Sequence, residues 1–150
     1  TAIDSYKEKL GHYPPDNPLN YGRPTLYYEL LGCVAAPNGI SFSPLDGSPS
    51  VAAAILPSGI VNSTTSVGDE GMTAKAFIKD LKPNQYATGA PRYLGVAVDG
   101  VNQIGEITPF SYVSSNPTNN PTKYDLWVDL RLGGKIYRVN NWSKVPIINP

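Results

Sequence analysis

Two adjacent prolines, Pro14 and Pro15, set a hard limit on the first structural element of this chain. Proline has no amide hydrogen and its ring clashes with the preceding turn, so no helix continues through the pair. Upstream of them Ile3, Tyr6, Leu10 and Tyr13 recur at spacings of three, four and three, which is one face of an α-helix. Asp4, Lys7 and Glu8 fall towards the other side, and Gly11 can close the helix in the left-handed conformation. The stretch is an amphipathic helix that needs a surface to pack on. Thr1 is the one candidate N-cap, which leaves two readings open. Either the pattern continues a longer helix that begins upstream, or Thr1 caps an ordinary N-terminal helix.

The 15 prolines and 14 glycines among 150 residues require abundant loops within what is, by length, a single domain spanning 1–150. Lys plus Arg equals Asp plus Glu at 12 each, so the formal charge is zero. Nucleic acid and anionic membrane both call for a basic field, and neither is expected as a partner. Charged residues make up only 16%, a surface solvated by Asn, Ser, Thr and Tyr that suits work outside the cytoplasm. No run of about 18 apolar residues occurs in the sequence given.

Pro24, Leu26, Tyr27, Leu30 and Leu31, followed by Gly32, predict a second, short helix over 24–31. Residues 35–71 are punctuated by prolines, and Val51 to Leu56 reads equally as strand or helical turn. A coil of that length is unusual in a compact domain, so short strands are expected within it. Ala74, Phe77, Ile78 and Leu81 predict a third helix, with Thr73 as cap and Pro83 as stop. Strands are expected at 94–98, 106–114, 124–132 and 135–140, with Gly133-Gly134 as a two-residue hairpin turn. In the third of these Leu126, Val128 and Leu130 share a face, while Trp127 interrupts the polar side. The expected fold class is α+β.

Little in the sequence points to catalysis. His12 is the sole histidine and sits at a helix end, where a capping or solvated imidazole is the ordinary role. Cys33, the sole cysteine, follows Leu30-Leu31-Gly32 and reads as a small buried hydrophobe. One His and one Cys do not make a zinc site. Gly68-Asp69-Glu70-Gly71 reads as a solvated turn, because adjacent carboxylates point apart. Asn62-Ser63-Thr64 and Asn141-Trp142-Ser143 fit the glycosylation sequon. The 10 tyrosines and 2 tryptophans, beside Asn and Asp, keep an extracellular carbohydrate-binding module as the alternative function.

The stretch from Ala2 to Pro15, with its Tyr6-Lys7 and its Gly11-His12-Tyr13-Pro14 exit, resembles the end of the long N-terminal helix in the major pseudopilins of bacterial type II secretion. Tyr124-Asp125-Leu126-Trp127 followed by Val139-Asn140-Asn141-Trp142 is similar to that family's closing strands, and 109–114 to the strand before them. The resemblance implies a pilin-like fold, with the N-terminal helix packed on a C-terminal antiparallel sheet of about four strands. Ile3, Tyr6, Leu10 and Tyr13 would dock helix to sheet, and Asp4, Lys7 and Glu8 would face neighbouring subunits. It implies a non-enzymatic structural subunit of a secretion pseudopilus or type IV pilus-like fibre. Its partners would be copies of itself, other pseudopilins and inner-membrane components of the secretion system. An upstream apolar half-helix would anchor the protein in the inner membrane, with the head periplasmic or extracellular. Major pseudopilins also hold calcium near the terminal Asn-Trp. Here 132–142 contains no Asp or Glu but does contain Lys135 and Arg138, so neither calcium nor any other cofactor is expected.

Overall fold

The computed structural model describes residues 1–65, 73–97 and 106–150. The Gly68-Asp69-Glu70-Gly71 turn and Val98, the end of one expected strand, lie outside them. The chain divides into two compact units, Thr1–Pro15 with Thr25–Leu81 and Gly89–Arg92, and Asp16–Pro24 with Lys82–Thr88 and Tyr93–Pro150.

The first unit opens with α1 (Ala2–Leu10). Thr1 and Asp4 form a reciprocal capping box at its start, and Gly11, with φ of 83°, closes it. Helix α2 (Leu26–Leu31) is shorter than 24–31, since Thr25 rather than a residue before Pro24 takes the cap position. Gly32 turns the chain out of α2 with φ of 75°, and a Cβ there would lie 2.8 Å from the Lys75 carbonyl oxygen. Both facts require glycine.

Four short strands follow: β1 (Cys33–Ala35), β2 (Ser41–Pro44), β3 (Val51–Ala52) and β4 (Ser63–Thr65). They form a sheet in the order β3-β2-β1-β4. Neighbours are antiparallel except β1 and β4, which run parallel with Cys33 opposite Ser63. The ambiguous Val51 to Leu56 stretch is both of its readings in succession, β3 and then a 3-10 turn over Ala53–Ile55.

The third helix is absent. Residues 73–82 are irregular, because partners elsewhere in the unit take the N–H groups that a helix would need. The Lys75 amide donates to Asn62 Oδ1 at 2.9 Å, and the Asn62 side-chain amide donates back to the Lys75 carbonyl at 2.7 Å. Phe77 and Ile78 both donate to the Leu30 carbonyl. Helical spacing of four apolar residues was outweighed by these bonds.

The second unit contains two sheets. β5 (Tyr86–Ala87), β6 (Tyr93–Val96) and β7 (Thr108–Pro109) make an antiparallel sheet of three. β8 (Ser111–Val113), β9 (Asp125–Leu132), β10 (Lys135–Asn140) and β11 (Ile147–Ile148) make one of four, in the order β11-β10-β9-β8. The expected strand over 106–114 is thus two strands, in different sheets. Gly133 and Gly134, with φ of 59° and 77°, form the expected hairpin turn that pairs Leu132 with Lys135.

The expected architecture, an α+β pilin-like domain with a helix laid on a single C-terminal antiparallel sheet of about four strands, is overturned. Among the described residues the regular structure is mostly β and lies in three sheets. Helix α1 belongs to the first unit, which has a sheet of its own, whereas the C-terminal sheet belongs to the second. The cause lies in residues 33–65, where strands of two to four residues carry no readable alternation yet pair into a sheet. Among the described residues no helix is long and apolar enough to cross a membrane.

Candidate functional site

In the four-stranded sheet, register decides which side chains share a face. Trp127 lies opposite Asn140 and Ser111, and Asp129 opposite Arg138. Period-two alternation then places Val113, Asp125, Trp127, Asp129 and Arg138 on one face and Tyr112, Leu126 and Val128 on the other. Tyr112 and Val128 are buried, so the second face is the core side. Trp127 breaks the polar pattern because its face carries a cleft.

Asp125 is only 3% exposed and sits at the start of β9. Each of its oxygens accepts two donors. Oδ2 receives the backbone and side-chain N–H of Asn119, and Oδ1 those of Asn120. The turn before β9 is thereby folded onto a carboxylate, in charge-assisted bonds. Asn141 closes the same corner from the other end of the hairpin. Its Oδ1 accepts from the Leu126 amide and the Asn120 side chain, and its Nδ2 donates to the Tyr124 carbonyl. Asn140 Oδ1 accepts from the amides of Trp142 and Ser143, turning the chain after β10. That turn sets Trp142 edge-to-face with Trp127, centroids 5.9 Å apart. Arg138 binds both oxygens of Asp129, at 2.8 and 2.9 Å, with its guanidinium over the Trp127 ring. The paired carboxylate raises the Arg138 pKa further.

These bonds bear on calcium. Asp125 already accepts four N–H donors and Asp129 is held by Arg138, so neither carboxylate is free for a hard cation that needs six to eight oxygens. The residues present do not fit the ion. Among the described residues no group of three or more His, Cys, Asp or Glu is placed to hold any metal.

The helix residues singled out by the sequence all lie in the first unit. Ile3 and Tyr6 are buried, while Leu10 and Tyr13 are half-buried. Tyr6 packs against Phe77 and, edge-on, His12. Asp4, Lys7 and Glu8 are exposed. Two of these three have local work: Asp4 completes the capping box, and Lys7 Nζ donates to the Gly11 carbonyl at the helix end. No hydrogen bond engages the Glu8 side chain among the described residues.

Glu29 is a residue that sequence reading missed. It is 0% exposed, and its carboxylate accepts from the Val61 and Asn62 amides and the Tyr6 hydroxyl. Burial pushes its carboxyl above the ordinary value, against the pull of those three donors and of the nearby His12. Glu29 stands within an apolar helix face, and nothing in that pattern marks it. Asp16, also buried, accepts from the Ser114 and Ser115 amides in the second unit. Cys33 is buried, and burial pushes its thiol up to about 12, far from a reactive thiolate.

Neither sequon offers a free acceptor amide. Asn62 is 0% exposed with its side chain bonded to Glu29 and Lys75, and the Asn141 amide is engaged in the closing corner. His12 Nδ1 lies 2.9 Å from the Tyr13 carbonyl, at the end of α1. No protein-family model, curated protein or solved structure matches this chain.

Proposed function

We propose that this chain is the head of a pseudopilin or type IV pilin-like subunit, a non-enzymatic structural protein of a type II secretion pseudopilus or related fibre. One observation carries the reading. The two sequence matches at the C-terminal end, Tyr124-Asp125-Leu126-Trp127 and Asn140-Asn141-Trp142, are bonded into one corner through Asn141. Residues that resemble the family's closing strands therefore act together. The left-handed Gly11 before His12-Tyr13-Pro14 supports the same reading at the other end. The resemblance works through these two ends and not through the architecture, which differs.

In this proposal the head faces the periplasm or the exterior, reached by an upstream apolar helix, and its partners are copies of itself, other pseudopilins and the inner-membrane secretion machinery. Of Asp4, Lys7 and Glu8, Glu8 is the one left to a neighbouring subunit, since Asp4 and Lys7 cap the helix. The test is recovery of fibres from cells that express the full gene. The head should be found in sheared fibres, and Glu8→Lys should lower fibre yield with melting of the head unchanged. A head recovered only as a free monomer would overturn the proposal.

A further inference from the structure

We infer that the Trp127–Trp142 cleft of the second unit is a binding site for a neutral sugar ring. The inference rests on the cleft and stands whether or not the chain assembles into fibres. The cleft has a cavity volume of about 310 Å³, and Tyr21, Asn116, Thr118, Trp127, Arg138 and Trp142 are among the residues that line it. That is the lower end of the range for small-molecule sites, the size of a few rings at most.

Its walls are fixed before any ligand arrives. Asp16 holds the backbone at 114 and 115, Asp125 holds it at 119 and 120, and between them Asn116 stands in the left-handed conformation with φ of 53°. The floor is a strand pair. A loop pinned at both ends by buried carboxylates binds at a reduced ordering cost.

The chemistry of the lining selects the occupant. At the cleft the Arg138 charge is paired with Asp129, and the Asp125 oxygens are filled by N–H groups of two asparagines, which leave its negative charge in place. Among the described residues that line the cleft no unpaired cation remains to attract a phosphate, sulfate or carboxylate, and Asp125 repels all three. The Trp127 and Trp142 indole N–H groups, the Asn116 amide and the Thr118 hydroxyl make no hydrogen bond among the described residues. Asn116 and Thr118 are exposed, and among the described residues no buried side-chain N or O of Trp127 or Trp142 lacks a partner, so water reaches all four groups. A purely apolar occupant would strip their water and return nothing, at a cost per group that rules it out. A neutral sugar offers hydroxyls at its rim for the four groups and a C–H face for the aromatic rings.

Both tryptophans of the chain line this cleft, so intrinsic emission reports on it directly. The test titrates the protein with cellobiose, maltose, galactose, mannose and N,N′-diacetylchitobiose, with trigalacturonate and heparin as charged controls. At least one neutral sugar should give a saturable change in emission, and the charged controls should not bind more tightly. Trp142→Ala should abolish it. Asn116→Gly, which keeps the left-handed backbone, and Thr118→Ala should each weaken it about three- to tenfold with melting unchanged. The last two variants decide the matter even where Trp142→Ala fails to fold. No saturable response to any neutral sugar, preference for a charged one, or binding unaffected by both Asn116→Gly and Thr118→Ala would each overturn the inference.

Discussion

Glu29 in the first unit and Asp125 in the second are both buried carboxylates whose hydrogen-bond donors are neutral, yet they join different things. Glu29 reaches Tyr6, 23 residues upstream, and Val61 and Asn62, 32 and 33 residues downstream. It ties α1, α2 and the approach to β4 into one knot. Among the described residues the Asp125 side chain reaches only Asn119 and Asn120, six and five residues back. It shapes one turn. The difference teaches that burial alone does not tell how much of a fold depends on a charge. The sequence separation of its partners does, because non-local bonds close long loops whose entropy must be overcome.

The sharpest way to break this comparison is to remove each carboxylate in turn. Glu29→Ala leaves three donors without an acceptor, two of them buried, and opens a cavity between α1 and α2, so it should destabilise the chain by about 3–5 kcal/mol. Chemical denaturation reads the loss, and a cost near zero would mean that the hub is not the centre of its unit. Asp125→Ala should cost less, about 1–3 kcal/mol. Asn119 is exposed and Asn120 half-buried, so water can replace part of what is lost. Amide exchange should quicken around 119 and 120 while Val61 and Asn62 stay protected. Equal costs for the two variants would erase the distinction drawn above.

Acidity sharpens the comparison further. The folded chain holds the Glu29 proton more tightly than the unfolded chain, whose ordinary value is 4.5. Its contribution is therefore fully present below that value and is lost as pH rises through the raised folded one. The groups facing it are the Tyr6 hydroxyl, the Val61 and Asn62 amides and His12 on the exit of α1. The unfolding free energy of the wild type should fall with pH in that window, relative to Glu29→Gln, by at most about 1.4 kcal/mol per pH unit. Parallel pH profiles would show that the carboxyl titrates normally.

What could be read from the sequence follows the same divide between local and distant. The exit of α1, the Gly133-Gly134 hairpin and the Leu126/Val128 face were legible, since each depends on residues within a few positions of one another. The irregular course of 73–82 was not, because it follows from Asn62 and Leu30 taking its backbone groups. Asn62 itself read as part of a sequon and is instead a fully buried bridge. The cleft was half legible. Trp127 stood out as a break in alternation, but only register and the Asn140 turn bring Trp142 to it. Glu29 carried no signal, since a glutamate in a short helix is ordinary until its neighbours prove to be the core.

The measurement that bears most directly on the proposed fibre role is the N-terminal sequence and mass of the mature protein, isolated from the membranes of cells that make it. The proposed role requires a mature chain that begins upstream of Thr1 with an apolar stretch of about 20 residues ahead of α1, left by cleavage of a short charged leader. A mature chain produced by an ordinary secretory signal, with no apolar helix ahead of Thr1, would contradict it.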